Sequence, residues 1–401
     1  MISNKTILLG ITGSIAAYKM ADLASRLAKE GCDVHVLMTK NATEFITPLT
    51  FESLTGNKCI VDTFDRNFQF NIAHVSLAQK TDICMIAPAS ANVIAKMAYG
   101  LADDMLTTTV LACKCPKIVA PAMNTNMFQN PIVQDNLKKL SYYGMTVIPP
   151  ASGVLACKAS GEGKLPPVDV LYDYLEREAI QKKDMASQKV LVTAGPTQEA
   201  LDPVRYLTNH SSGKMGYALA KQCMLRGAEV TLVSGKTVLE KPRFVHTIEV
   251  TTAQEMFDAV KEHYGDMDFI FKAAAVADYT PTEASTEKIK KNAQADSLSL
   301  PLKRTQDILK YLGEHKKPGQ FLCGFSMETQ NLEENSKAKL MRKNADMIAA
   351  NCLKTEGAGF QGDTNVITLI TSDKIQPLGL MTKEETADKI IDAALAEKGR
   401  N

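Results

Sequence analysis

Val190-Leu191-Val192-Thr193-Ala194-Gly195-Pro196-Thr197 is a short apolar, β-branched run closed by Gly-Pro, which reads as a buried strand that stops sharply. The chain then passes through Asp202-Pro203-Val204-Arg205 to Asn209-His210-Ser211-Ser212-Gly213-Lys214-Met215-Gly216, and helical spacing resumes only near Lys214. The connection is about fifteen residues, where a loop between strand and helix usually takes ~2–6. Long loops inside α/β units are mostly functional. This one carries hydroxyls, amides, glycines and one arginine, the donor set that a phosphate or acyl phosphate requires. A helix at about 214–226, Gly227 and a strand at 229–234 follow, so the stretch opens a second α/β domain.

Toward the N-terminus the same grammar appears first. Ile7-Leu8-Leu9-Gly10-Ile11 reads as a strand, Thr12-Gly13-Ser14 as a turn, and Ala16, Met20, Leu23, Ala24 and Leu27 as one helix face. Gly31 ends that helix and Val34 to Met38 is the next strand, a βαβ unit that predicts a parallel, doubly wound sheet. Thr12-Gly13-Ser14 lies where backbone amides and a helix N-terminus meet an anion, although a merely tight turn has the same sequence. Thr39 is followed by Lys40 and Asn41 rather than by the acid that a dinucleotide's ribose calls for, which favours a mononucleotide over NAD.

Thr47 to Asn71 reads as a short helix and loop, and His74 stands alone, as packed or surface histidines also do. Ile83 to Pro88 with Ala89-Ser90-Ala91-Asn92, and Ile118 to Pro121 with Ala122-Met123-Asn124, repeat one form: apolar strand, proline, small residue, polar tip. Both tips fall at carboxyl ends of parallel strands, where open sheets bind ligands; Asn92 and Asn124 also serve as ordinary helix caps. Asp103-Asp104 reads as the first turn of a helix. Gly153 to Lys164 carries three glycines and Cys157, a mobile flap with an exposed, reactive thiol. Glu176 to Gln188 is polar, a helix end and linker.

Beyond the second domain's opening, Phe269 to Lys272 and Phe321 to Phe325 read as strands, the first ending in the small-residue tip Ala273-Ala274-Ala275. Pro281 to Arg304 is polar, with Lys288, Lys290 and Lys291 together: a solvated edge or a phosphate-holding flap. A helix bearing Lys337, Lys339 and Lys343, late strands at 366–370 and 374–378, and a capping box at Thr382-Lys383-Glu384-Glu385 complete the chain. Ser212-Gly213-Lys214 lacks the frame of a P-loop. The 401 residues suit two or three domains, and a net charge of +1 points to neither nucleic acid nor membrane. No apolar run reaches the ~18 residues of a membrane span, and no signal peptide is expected. Nine cysteines without a Cys-x-x-Cys pair suggest a reducing cytoplasm.

In order and end to end, these motifs resemble the bacterial bifunctional phosphopantothenoylcysteine decarboxylase / phosphopantothenate–cysteine ligase family. The first half is similar to the flavin-dependent cysteine decarboxylases in Thr12-Gly13-Ser14-Ile15-Ala16-Ala17-Tyr18-Lys19, Ala73-His74-Val75, Pro88 to Asn92, Pro121 to Met127 and Leu155-Ala156-Cys157. The second half resembles the ligases in Thr193 to Glu199, Asp202 to Arg205, Thr208 to Gly216, Ala273 to Tyr279 and Lys288 to Lys291. The flap departs from the family pattern at Lys158, Lys164 and Pro166; Lys164 keeps the charge of an arginine without its fork. Ser326-Met327 replaces a small pair before Glu328.

The resemblance implies an α/β fold of two doubly wound Rossmann-like domains with parallel sheets, the second with a small antiparallel addition: decarboxylase 1–180, linker 181–188, ligase 189–401. It implies FMN held by Gly13, Ser14, Thr39, Ser90, Ala91 and Asn92. His74 is then base and orienter, Asn124 holds the substrate carboxylate, and Cys157 returns a proton to an enethiol after the thiol has been oxidised to a thioaldehyde and CO₂ lost. The redox cycle balances without NAD(P)H. In the ligase half, 4′-phosphopantothenate attacks CTP to give an acyl-cytidylate, and the amine of cysteine displaces CMP. Arg205, Asn209, Ala274 and Lys288 are the implied catalytic residues there. Met123, Asn126, Ala273, Ala275, Asp278, Asp307, Ile308, Leu309, Lys310, Phe325, Lys339 and Lys343 are implied to bind CTP or phosphopantothenate derivatives, with Asp278 a contact for Mg²⁺. Trimers through the flavin half and dimers through the ligase half, giving a dodecamer, are implied as well. Of the two rival functions, a flavin or NADP reductase needs neither the Asn209 loop nor the lysine flap, and a non-catalytic flavoprotein regulator does not account for His74, Asn124 and Cys157 together.

Overall fold

The apolar runs read above as strands are buried, except the late strand at 374–378, where Ile375 and Gln376 are half-buried and Lys374 and Pro377 exposed. The structure is a computed structural model that describes residues 2–64, 73–154, 160–180, 182–290, 298–328, 330–352 and 362–399. Two compact units form, Met1–Gln181 and Lys182–Asn401, and each is described by itself.

In the first unit β1 (Thr6–Ile11) passes through one 3-10 turn (Ile15–Tyr18) into α1 (Lys19–Lys29). Met20, Leu23, Ala24 and Leu27 form the buried face of α1, while Ala16 belongs to the 3-10 turn and is only half-buried. Gly31, at φ +84°, reverses the chain after the helix. There follow β2 (Asp33–Met38), α2 (Pro48–Thr55), α3 (Ala73–Lys80), β3 (Ile83–Ala89), α4 (Ala91–Tyr99), α5 (Met105–Ala112) and β4 (Lys117–Pro121). The unit closes with α6 (Thr125–Gln129), α7 (Pro131–Tyr142), β5 (Thr146–Val147), β6 (Ala151–Val154), β7 (Ser160–Lys164) and α8 (Val168–Ala179). The main sheet is parallel in the order β2-β1-β3-β4-β5. Successive β1 residues serve opposite layers: Ile7, Leu9 and Ile11 pack with α1 and α8, and Leu8 with α4, α5 and α7. The order reverses between β1 and β3, so their carboxyl ends feed connections to opposite faces and leave a crevice.

In the second unit β8 (Lys189–Ala194) is followed by the short hairpin β9 (Gln198–Ala200) and β10 (Tyr206–Thr208), α9 (Lys214–Leu225), β11 (Glu229–Ser234), β12 (His246–Glu249) and α10 (Ala253–His263). Then come β13 (Phe269–Lys272), β14 (Tyr279–Pro281), β15 (Leu302–Arg304), α11 (Ile308–His315), β16 (Phe321–Glu328), α12 (Leu332–Arg342) and β17 (Met347–Cys352). The last elements are β18 (Thr364–Asn365), β19 (Ile367–Ile370), β20 (Ile375–Pro377), β21 (Met381–Thr382) and α13 (Lys383–Lys398), opened by the expected capping box. The large sheet runs β12-β11-β8-β13-β16-β17-β19-β20, parallel through β17 with β19 and β20 antiparallel. Its switch point lies between β8 and β13.

Three segments differ from their sequence reading. The long loop after β8 is not irregular throughout, because Gln198–Ala200 and Tyr206–Thr208 pair within it. The described arms of the Gly153–Lys164 flap are an antiparallel hairpin, β6 with β7. Residues 182–188, expected as a linker, fold onto the second unit: Asp184 accepts two bonds from the buried Arg226, at 2.8 and 2.6 Å, and Asp388 and Asp392 take the same guanidinium. Among the described residues no helix is long and apolar enough to cross a membrane.

Candidate functional site

At the first switch point a single hydroxyl sets the spacing of the two strand ends. Buried Thr12 donates from Oγ1 to Pro88 O at 2.6 Å and accepts from the Ser90 amide at 2.8 Å. Ser14 caps the 3-10 turn by accepting from the Ala16 amide (3.3 Å), and Ser90 caps α4 by accepting from the Val93 amide (3.5 Å). Both helical N-termini therefore open onto one crevice, where unpaired amides and the helix dipole favour an anion. A Cβ on Gly13 would stand 2.8 Å from Asn41 Cβ, so only glycine lets the two loops close there.

The crevice is a cavity of about 520 Å³ lined by Gly13, Ser14, Ser90, Ala91, Met123 and Asn124, and also by Ile15, Tyr18, Met127, Lys19, Lys164 and Leu165. Its far wall is the β6–β7 hairpin, fixed by the Met123 amide donating to Gly163 O at 3.0 Å. Gly163 has φ +124°, and a Cβ there would lie 2.4 Å from Met123 O. Lys19 donates to Leu165 O (3.4 Å), and burial first, then the charge of Lys164, lowers its pKa. Sequence reasoning did not place Lys19 at the site. Its signal was a cation at the first position of the helix after an anion-type turn.

Thr39, Asn92, Asn126 and His74 do not line this cavity. Thr39 Oγ1 is buried and has no hydrogen-bond partner among the described residues. Asn126 donates its amide to Asn124 Oδ1 (2.9 Å). His74 lies in the first turn of α3. Cys157 falls outside the described residues. Asp104 caps α5 (2.8 Å to the Thr107 amide) and both acids pair with Lys96, so this acidic pair is structural, as read.

At the second switch point the small-residue tip of β13 is zipped to the long loop. The Ala273 amide donates to Thr193 O (3.2 Å), Ala274 to Thr193 Oγ1 (3.2 Å), Ala275 to Gly195 O (3.0 Å) and Ala277 to Thr197 Oγ1 (3.0 Å). Asn209 Nδ2 donates to Ala275 O at 3.1 Å. Asp202, with its side chain fully buried, accepts from the amides of Val204, Arg205 and Ile289 and pairs with Arg205 at 2.8 Å. Burial opposes its ionisation, but the three amides and the guanidinium prevail and hold it at about 2. Arg205 also donates to Ile289 O (2.5 Å), which ties the exposed Lys288 segment to the loop.

A cavity of about 580 Å³ opens beside this turn, at the ends of β13 and β16. Asp278, Asp307, Ile308, Leu309, Lys310, Phe325, Lys339 and Lys343 line it; Arg205, Asn209, Ala273, Ala274, Ala275 and Lys288 do not, and sit along the loop and turn instead. Lys272, Arg304 and Arg342, which the sequence did not single out, also face it. Six cations thus meet two carboxylates, a formal excess of four positive charges. Asp307 caps α11 (2.9 Å to the Lys310 amide) and pairs with Lys343; burial opposes its ionisation, and these bonds hold its pKa below the usual range. Burial lowers Lys339, which donates to Phe325 O at 2.8 Å. Among the described residues no group of three or more His, Cys, Asp or Glu side chains is placed to hold a metal ion.

Residues 1–179 match the Flavoprotein family, and residues 185–397 match the DNA/pantothenate metabolism flavoprotein C-terminal domain family. A coenzyme A biosynthesis bifunctional protein of Bacillus subtilis (strain 168) is 42% identical over 404 aligned residues, 99% of each chain. The crystal structure of the C-terminal domain of a coenzyme A biosynthesis bifunctional protein is 43% identical, covering 53% of this chain and 95% of that one with a TM-score of 0.45. That of the FMN-dependent cysteine decarboxylase SpaF is 31% identical, covering 45% and 98% with a TM-score of 0.40.

Proposed function

We propose a two-step function for this chain, which belongs to the family of the bifunctional coenzyme A biosynthesis proteins. Lys182–Asn401 ligates 4′-phosphopantothenate to cysteine, and Met1–Gln181 decarboxylates the product to 4′-phosphopantetheine. The observation that carries the reading is that a chain similar over its whole length to such a protein presents a crevice at the carboxyl ends of parallel strands in each of its two sheets.

In the first unit the cofactor is FMN. The Thr12-Gly13-Ser14 turn and the amides at the start of α4 hold its phosphate, and Thr39 supplies the hydroxyl left without a partner. FMN, when bound, supplies a two-electron oxidation of the substrate thiol and the return of those electrons. Asn124, at the cavity wall, orients the substrate carboxylate, and Lys19 and Lys164 offer cations for a substrate anion. His74 takes the proton of the thiol and Cys157 returns one at the end. By the family resemblance the flavin half forms trimers and the ligase half dimers, giving a dodecamer.

In the second unit the nucleotide is CTP, brought as its Mg²⁺ complex. The cationic cavity would take it, with Asp278 the residue that would contact the ion. The carboxylate of phosphopantothenate attacks the α-phosphorus, pyrophosphate leaves, and the amine of cysteine then displaces CMP from the acyl carbon. Asn209 and the small Ala273–Ala275 turn present a neutral donor and close-lying backbone to the acyl phosphate. Lys288 brings its charge from a segment that Arg205 anchors. The described cysteines are free thiols, which fits the cytoplasm.

The test is a coupled assay read by mass spectrometry. Phosphopantothenate, cysteine and CTP with Mg²⁺ are expected to yield the acylcysteine and then the decarboxylated thiol. Absence of either product from active, yellow protein overturns the reading, and so does rapid oxidation of NADPH.

A further inference from the structure

Lys272 is the last residue of β13 and one of the six cations of the nucleotide cavity, and it has no individual role in the reaction described above. It faces the cationic cavity, and its ammonium donates to Ala274 O at 3.1 Å. Ala274 is the centre of the turn that Thr193 and Gly195 fasten and that Asn209 caps through Ala275. Lys272 therefore touches both groups into which the ligase residues fall, the nucleotide cavity and the acyl-side turn. An ammonium has three N–H donors, and a single carbonyl occupies one of them.

We propose that Lys272 binds the phosphate chain of the nucleotide with the same ammonium that holds the Ala274 carbonyl, and so positions the α-phosphorus beside the acyl-side turn. The inference rests on the reading of Lys182–Asn401 as a nucleotide-dependent ligase. The surroundings suit a polyanion. Lys339 and Lys343 approach from α12 and its C-terminal end, Arg342 from α12, Arg304 from β15 and Lys310 from α11. Asp278 and Asp307 are the carboxylates opposite, and Asp307 is taken by Lys343. Burial and the charge of Lys339 bring Lys272 down to about 8, against the pull of Asp307 and Asp278. The free site thus keeps this cation below pH 8 and loses it above, whereas a bound polyphosphate favours the charged form.

Ligation by the full chain is measured against CTP with Mg²⁺ from pH 6.5 to 9.5, together with calorimetric binding of the same complex, for the wild type, Lys272→Gln and Lys272→Arg. Decarboxylation of supplied acylcysteine serves as the control for folding. Lys272→Gln is expected to raise KM for CTP about tenfold at pH 7, with a much smaller change in kcat, as loss of one charge-assisted contact would. Wild-type KM should climb above pH 8, while Lys272→Arg should bind well at pH 7 and stay flat to pH 9.5, because a guanidinium does not deprotonate there. An unchanged KM in Lys272→Gln overturns the proposal, as does an equal loss of kcat in both variants. A wild-type protein that decarboxylates but neither binds CTP nor ligates overturns the ligase reading itself, and this inference with it.

Discussion

The two strand-end crevices share a setting and are lined differently. Each lies at the carboxyl ends of parallel strands, the first at the switch point between β1 and β3 and the second at β13 and β16, one strand away from the β8–β13 switch; a threonine hydroxyl ties strand end to loop at each switch point, Thr12 to Pro88 and Ser90, Thr193 to Ala274. The first is walled by glycine, small residues, two methionines and two lysines, and suits a flat ring with one phosphate. The second gathers six cations around two acids and suits a polyphosphate. Strand order therefore decides where a ligand goes, and the side chains delivered by later elements decide which ligand.

That contrast is broken most severely by removing what holds one unit alone. Arg226 is 2% exposed and serves Asp184, Asp388 and Asp392. Arg226→Met removes the buried guanidinium that gathers them, leaving Lys182 as the remaining partner of Asp184 and Asp392, at a cost of about 1–3 kcal/mol. The ligase half should unfold at lower urea, followed by the loss of ligation, while flavin absorbance persists. A single transition shared by both signals would mean that the halves are not independent. Next, Asn209→Asp sets a carboxylate against Ala275 O and the acyl phosphate. Ligation should fall by ~10²–10³-fold, the scale of one lost donor at a developing charge, with decarboxylation of supplied acylcysteine unchanged.

The first crevice is tested by Gly163→Ala. Its φ of +124° and the 2.4 Å approach to Met123 O cannot accept a methyl without moving the hairpin, a strain of about 1–3 kcal/mol. Decarboxylation should drop ~10-fold or more with ligation intact, and purified protein should retain less flavin; full retention and rate would mean that the hairpin plays no part. The smallest effect comes from salt. Raising KCl from 50 to 500 mM should increase KM for CTP by about tenfold, because the cations at the cavity mouth are screened, and alter flavin retention far less. Equal sensitivity of the two sites would remove the electrostatic distinction.

Much of the site was legible because it sits on sharp local signals. Gly13, Ser14, Ser90 and Asn124 stand just past apolar strands, and a strand end in a parallel sheet is a ligand end whatever the rest of the chain does. The capping box at Thr382 and the acids at 103–104 were equally local, since a cap satisfies amides only two or three residues away. The β9–β10 hairpin was not legible. Three-residue strands carry no periodicity, and their pairing depends on Asp202 collecting amides from both Val204 and the distant Ile289. Likewise the polarity of residues 182–188 suggested a linker, yet Asp184 has a buried partner 42 positions away.

The sequence by itself determined the parallel strands that open each of the two sheets, their order of appearance, the loop that matters most and the residues at each strand tip, because alternation, helical spacing and turn chemistry act over a few residues. Only the tertiary structure decided that Lys272, Arg304 and Arg342 join Lys339 and Lys343 in one cavity, that Lys272 also holds the Ala274 carbonyl, and that Arg205 holds Asp202 and the Ile289 carbonyl. Charges interact through space, and their distances are set by how β13, β15 and α12 are laid together. No local pattern of residues records that arrangement.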